Sequence, residues 1–248
     1  MSAPSTISNL TPRVVVMGGS SGIGEATAAL FAGEGAEVVV TGRSRDKLDA
    51  AVARLGGKTT GYRLDATDPA QIVAFFEQSG PIDHLVIAVS GSAGSGSFAE
   101  LDLDQLAAGF DGKFWPQVRI VQAALPQLNS NGSITLITAA SAHAAFPGTA
   151  GLAAVNGALN AMVAPLAVEL APVRVNAVAP GVIDTEWWDR VPEQQRRDLF
   201  DGLAATTPVG RVGNPRELAQ AVHLLATNGF VSGVVLDVTG GANLATGR

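Results

Sequence analysis

Val14-Val15-Val16-Met17-Gly18-Gly19-Ser20-Ser21-Gly22-Ile23-Gly24-Glu25-Ala26 is the stretch that decides the fold. A β-branched run suits a buried strand, and here it stops at two glycines before giving way to Ala-rich residues. The reading is strand, glycine turn, then a helix from Gly22 to Gly33. Glycines let the backbone turn tightly and come close to a pyrophosphate, and the free N–H groups and dipole of the helix start favour the anion. A glycine loop alone is a weak signal. Lying between the first strand and the first helix, it meets the requirement of a dinucleotide site, formed by Gly18, Ser20, Ser21, Gly22, Ile23 and Gly24.

The same alternation continues along the chain. Val38 to Val40 precedes a helical stretch from Asp46 to Leu55, and Leu85 to Ile87 precedes helical residues from Leu101 to Leu128. Ile134 to Ile137 precedes Leu152 to Leu170, Val173 to Val178 precedes the Trp187 to Leu203 region, and Val234 to Val238 closes the chain. Apolar strands alternating with helices predict a parallel sheet covered on both faces, the three-layer α/β/α, doubly wound, Rossmann-like class. Right-handed crossovers then put a ligand crevice at the carboxyl ends of the strands. The Gly/Ser/Ala stretch Ser90 to Ser97 falls at that crevice edge. Residues 1–248 read as one such domain, with residues 1–11 an expected disordered tail.

Composition narrows the function classes. The 248 residues carry 16 Lys plus Arg against 22 Asp plus Glu, a net charge of -6, so no basic stripe exists for a phosphate backbone and no nucleic-acid partner is expected. Zero cysteines exclude disulfides, thiolate metal sites and a Cys nucleophile. Three dispersed histidines offer no metal-ligand spacing, so no metal is expected. No run approaches ~18 consecutive apolar residues, which leaves a cytoplasmic protein with no membrane partner as the expectation. Two scarcities matter more: the single tyrosine is Tyr62, and the three lysines are Lys47, Lys58 and Lys113.

The second strand ends Val40-Thr41-Gly42-Arg43-Ser44. An acid here, about 20 residues past the glycines, would bond the ribose 2'-hydroxyl of NAD, whereas an Arg accommodates a 2'-phosphate. Arg43 with Ser44 therefore points to NADP(H), because a guanidinium fork matches phosphate geometry. A solvated Arg at a helix start is the plainer alternative.

The chain resembles the short-chain dehydrogenase/reductase superfamily over nearly its whole length. The resemblance rests on the Gly18, Gly22, Gly24 spacing and on Leu64-Asp65-Ala66-Thr67-Asp68. It extends to Arg174-Val175-Asn176-Ala177-Val178-Ala179-Pro180-Gly181 with Ile183 and Thr185, to Gly210 to Glu217, and to Asp237-Val238-Thr239-Gly240-Gly241. It implies that Asp65 and Ala66 contact adenine, that Ala88, Val89 and Ser90 line the cofactor through their backbone, and that Pro180, Gly181, Ile183 and Thr185 lie beside the nicotinamide. It also implies a small-molecule substrate and a homo-dimer or homo-tetramer built on the helices holding Lys113 to Leu128 and Leu152 to Leu170. Pro116 and Pro165 in those helices are expected to bend them.

The catalytic set of the resembling enzymes is changed at every position. Ala139 stands at the Ser position, Leu152 at the Tyr position, Asn156 at the Lys position and Lys113 at the Asn position. Tyr62 belongs to the adenine side, so no shift of register restores a Tyr and Lys pair. Without the phenol as proton donor, hydride addition to a ketone would leave an alkoxide in an apolar pocket. Reduction of C=N or of a conjugated C=C suits the site better. Lys113 and Asn156 hold each other's expected residue types. Lys113 is read either as a proton donor or charge stabiliser, or as a solvated helix residue paired with Asp111 or Glu100, and Asn156 also as a ribose contact. His143, with Ser141 before it, is a second candidate donor, or else a surface residue. Trp187 and Trp188 wall a substrate pocket or simply pack, and Asp184, Glu186 and Asp189 are candidates for holding a cationic substrate. A non-catalytic NADP(H) sensor or inactive oligomer partner, and a lyase or isomerase on the same scaffold, are the competing classes.

Overall fold

The computed structural model describes residues 11–91 and 93–244. The expected tail lies outside these apart from Thr11. Strands β1 (Arg13–Met17), β2 (Glu37–Gly42), β3 (Lys58–Arg63), β4 (Ile82–Ile87), β5 (Leu128–Ile137), β6 (Arg174–Pro180) and β7 (Val235–Val238) form one sheet in the order β3-β2-β1-β4-β5-β6-β7. Every pairing is parallel. Helices α1 (Gly22–Gly33), α2 (Arg45–Leu55), α3 (Pro69–Ser79), α4 (Leu103–Gly109), α5 (Trp115–Ala124), α6 (Ala150–Glu169), α7 (Glu193–Thr206) and α8 (Pro215–Thr227) complete the chain.

Two apolar layers hold the sheet. On one face Phe75 and Phe76 of α3, Ile120 of α5 and Val163 of α6 meet Val15, Leu85 and Ile134. On the other, Phe31 of α1 with Leu218 and Val222 of α8 meets Val14, Val38 and Val86. The strand order reverses between β1 and β4, so the loops after these two strands diverge and open a crevice. This is the doubly wound α/β class expected from the alternation of apolar runs and helices.

Three departures from the sequence reading have physical reasons. β3 is an edge strand reading Lys-Thr-Thr-Gly-Tyr-Arg in which only Thr59 is buried, so it needs no apolar run. The stretch from Leu101 to Leu128 is divided by a π turn, Phe110–Phe114. Pro116 follows at the first turn of α5, where its missing N–H costs little. Finally, α6 is long and apolar enough to cross a membrane by length and composition, with mean hydropathy 1.5, although no run of consecutive apolar residues reaches that length. Here it packs on β6 and the π turn through Gly151, Val155, Asn156, Leu159 and Val163.

His84 on β4 stacks on Phe31 with ring centroids 5.8 Å apart and bonds Ser133 Oγ through Nδ1 at 2.9 Å. Burial pushes its pKa down from 6.5 to about 4, the neighbouring Asp83 opposing this. The unfolded chain takes up a proton near 6.5 and the folded chain only near 4. Stability is therefore expected to fall as pH drops through that window. Urea midpoints from pH 7 to 4 in wild type and His84→Gln check this, the variant showing the flatter profile.

Candidate active site

The loop after β1 is shaped by glycine. Gly18 has φ +83°, and a Cβ there would stand 2.9 Å from Ala88 O; a Cβ on Gly24 would collide with the Gly18 carbonyl. This lets the β1 loop, the α1 start and the end of β4 come together. Ser21 caps α1 by backbone position, its carbonyl accepting from Glu25 N at 3.1 Å, but its side chain accepts no hydrogen bond from the first helix N–H groups. The α1 start thus offers uncommitted donors at the head of its dipole, which fits an anion such as a pyrophosphate.

A cleft of about 500 Å³ runs from here along the strand ends. Gly18, Ser20, Ser21, Gly22, Ile23, Gly24, Arg43, Asp65, Ala66, Ala88, Val89, Ser90, Asn156, Pro180, Gly181, Ile183 and Thr185 all line it, as do Lys113, Ala139 and Leu152. At the β2 end Arg43 is exposed, with Lys47 beside it in the lining. Hydrogen bonds from the Thr67 backbone and hydroxyl, with Arg43 adding its charge, hold the Asp65 carboxyl below the usual range. Pro180 to Thr185 is anchored by an isolated bridge between Ile183 and Gly213 and by Asp184 N donating to Gly213 O at 2.9 Å.

Two expected residues stand outside the lining. The Ser44 hydroxyl caps α2, accepting from Lys47 N at 3.4 Å. His143 is turned toward β7, its Nε2 2.9 Å from Asp237 Oδ2. The loop after β5 makes a tight 3-10 turn at Ala140–Ala142, which carries the imidazole away from the cleft.

Lys113 sits within the π turn, 7% exposed, and not on a solvated helix face. Its Nζ donates to Thr138 O at 3.0 Å and to Asn156 Oδ1 at 2.7 Å, and neither Asp111 nor Glu100 pairs with it. Burial lowers its pKa from 10.5 to about 8. An ammonium has three N–H groups, and among the described residues the third has no acceptor. The Asn156 amide is spent in turn: Nδ2 donates to Leu152 O at 2.8 Å and to Ser141 Oγ at 3.4 Å. One turn beyond Lys113, the buried Gln117 ties the ends of β4 and β5 by donating to Val89 O and Ile137 O, each at 3.1 Å. Tyr62, on β3, accepts from Gln78 Nε2 at 3.1 Å and packs on Phe75, far along the sheet from Leu152.

Trp187 and Trp188 form part of the wall, edge to face at 4.6 Å, with Trp188 Nε1 donating to Ile183 O at 3.0 Å. The acids around them do not form an open anionic pocket. Glu186 pairs with Lys47 at 3.0 Å, Asp189 with Arg196 at 2.9 Å, and Asp184 stands outside the cleft lining. Lys47 and Gln117 are contributors that sequence reasoning placed no cofactor or catalytic role on. Of the two, only Lys47, four residues past Arg43 at the start of α2, carried a usable signal.

A parallel sheet reversing at β1 and β4, with a glycine cradle and a helix start at that point, defines a Rossmann-type dinucleotide-binding protein. A family model described as "Enoyl-(Acyl carrier protein) reductase" matches residues 18–243. The 3-oxoacyl-[acyl-carrier-protein] reductase of Thermotoga maritima is 34% identical over 243 residues, 92% of this chain and 96% of its own. A Caenorhabditis elegans protein named "Probable 2,4-dienoyl-CoA reductase 3" is 31% identical, covering 92% of this chain and 79% of its own. A small-chain dehydrogenase crystallised with NADPH superposes with TM-score 0.80 at 30% identity, over 95% of this chain and all of the other. The chain belongs to the short-chain dehydrogenase/reductase superfamily, whose members are oxidoreductases using a nicotinamide cofactor.

Proposed function

We propose that this protein is an NADP(H)-dependent reductase of conjugated C=C bonds, in which Lys113 meets the charge that develops on the substrate carbonyl oxygen. The observation that carries the reading is the buried Lys113 ammonium, with two N–H groups fixed on Thr138 O and Asn156 Oδ1 and the third uncommitted in the cleft. Beside it Leu152 and Ala139 provide no proton donor. The NADP(H) preference rests on Arg43 and Lys47 at the ribose end, and on the missing acid there.

When bound, the nicotinamide supplies hydride. The glycine loop and α1 start would hold the pyrophosphate, and residues of the Pro180 to Thr185 segment would hold the nicotinamide end. Hydride at the β-carbon of an enone or enoyl ester moves the C=C electron pair onto the carbonyl oxygen. Lys113 stabilises that enolate through its free N–H, as preorganised donors do where charge develops. A proton from water then reaches the α-carbon and completes the addition of two hydrogens. Trp187, Trp188 and Leu152 wall the reacting end with apolar surface. A ketone would require Lys113 itself to surrender its proton to the forming alkoxide, and a cationic iminium meets Lys113 as a like charge with the nearby acids already paired, so both suit the site less well. The names of the matching family model and of the dienoyl-CoA reductase relative point the same way.

The test is NADPH consumption by the purified protein with cyclohex-2-en-1-one, cyclohexanone and a cyclic imine, 1-pyrroline. Turnover of the enone is expected to exceed that of the other two by at least about tenfold. Turnover confined to the ketone or the imine would replace this reading. A cytoplasmic homo-dimer or homo-tetramer completes the proposal. The outer faces of α5 and α6 support assembly, since Trp115 and Val168 are 44% and 79% exposed among apolar neighbours. Sedimentation of the protein at micromolar concentration checks it, a monomer being the contrary result.

A further inference from the structure

Among the described residues, Ser141 stands near Lys113 with an unused donor. It lines the cleft two residues past Ala139, at the short turn after β5. Its Oγ accepts from Asn156 Nδ2 at 3.4 Å, so its own hydrogen is free, and no acceptor for it exists among the described residues. Asn156, 3% exposed, holds Lys113 by one end of its amide and Ser141 by the other. The remaining contact of that amide, to Leu152 O within α6, fixes its orientation. A donor with a full charge and a neutral donor are thus both held by one amide, and both residues line the cleft together with Ala139 and Leu152. Thr138 Oγ1 cannot serve the same purpose, because it is committed to Val178 O at 3.3 Å.

We infer that Lys113 and Ser141 together form an oxyanion-binding site whose ligand class is enolates and phenolates, with Asn156 as the positioning residue between them. This rests on the reductase reading only in placing the site beside the nicotinamide. The binding itself is independent of turnover. A planar conjugated oxyanion fits better than a tetrahedral alkoxide, because the apolar walls from Leu152, Trp187 and Trp188 accept a flat ring while the two donors meet its single oxygen. A hydrogen bond to a charged oxygen inside an apolar pocket is stronger than one between neutral groups. Ser141 should therefore favour the ionised form of an acidic ligand, beyond what the Lys113 charge does alone.

The experiment titrates 4-nitrophenol with the protein carrying NADP+, following the phenolate absorbance as a function of pH. In wild type the bound phenol is expected to ionise at lower pH than in water. In Ser141→Ala the phenolate should bind about tenfold more weakly, with recovery in Ser141→Thr. Asn156→Leu should show the weakening of both donors, and Lys113→Met the loss of selective phenolate binding. NADP+ affinity, measured separately, should stay within about twofold in Ser141→Ala. Equal phenolate affinity in Ser141→Ala and wild type would overturn the role of Ser141, and absence of phenolate binding to the NADP+ complex would overturn the site as a whole. Enone turnover failing while phenolate binding persists would remove the reductase reading and leave this one standing.

Discussion

Lys113→Met is expected to lower kcat/KM for the enone by 100-fold or more while leaving NADPH affinity within about twofold. The expectation follows from position. Lys113 is the single cation at the reacting end of the cleft lining, and removing one preorganised donor from an oxyanion site commonly costs about 10²–10³ in rate. The pyrophosphate would be held by the glycine loop after β1, whereas the Lys113 ammonium is engaged with Thr138 O after β5 and with Asn156 of α6, so binding should survive. Methionine keeps the volume of the aliphatic stem, so the π turn that frames Lys113 should persist. The same variant should be no less stable than wild type near pH 7, because a buried ammonium is costly. That cost is present below about 8, where both folded and unfolded lysine are protonated, and is relieved as pH rises from about 8 to 10.5. Kinetics with NADPH fluorescence titration separate the two effects, and equal loss of rate and cofactor affinity would mean a collapsed site.

Arg43→Ala is expected to weaken NADPH about 10- to 100-fold and NADH by twofold or less, moving the preference toward NADH. Arg43 is exposed at the end of β2, in the lining of the cleft and close enough to Asp65 for its charge to be felt there. A guanidinium bound bidentately to a phosphate is among the stronger charge-assisted pairs, and NADH has no 2'-phosphate to lose. Lys47 should retain part of the affinity, although its ammonium is engaged with Glu186 across the cleft mouth. Calorimetric titration with each cofactor provides the comparison. Equal weakening of both would place Arg43 in a general electrostatic role.

What the sequence could reveal depended on how local the signal was. The first strand, turn and helix were legible residue by residue, because Val14 to Gly24 carries its own stereochemistry and the helix runs over the expected Gly22–Gly33. β3 was not legible, since an edge strand reading Lys-Thr-Thr-Gly-Tyr-Arg buries only Thr59 fully and so shows no apolar run in its pattern. The exchange of Lys and Asn between positions 113 and 156 was visible as a peculiarity of type. Their contact, 43 residues apart, needed the π turn that rotates Lys113 inward. The acids near the tryptophans looked available for a cation because sequence shows charges but not their partners, and Lys47 and Arg196 reach two of them from other turns of the fold. For His143 the structure shows the surface-residue alternative, which sequence could not separate from a donor for the same reason. Its position after β5 is close to the cleft along the chain, but the 3-10 turn sends its ring to Asp237.

The most direct measurement is the pH dependence of kcat for NADPH-driven reduction of cyclohex-2-en-1-one by the wild-type protein between pH 6 and 10. With Lys113 required as its ammonium, the rate should be level at low pH and fall tenfold per unit above an apparent pKa near 8, the value to which burial lowers this amine. A rate that stays constant or rises from pH 7 to 10 would contradict a role for the Lys113 cation in the reaction.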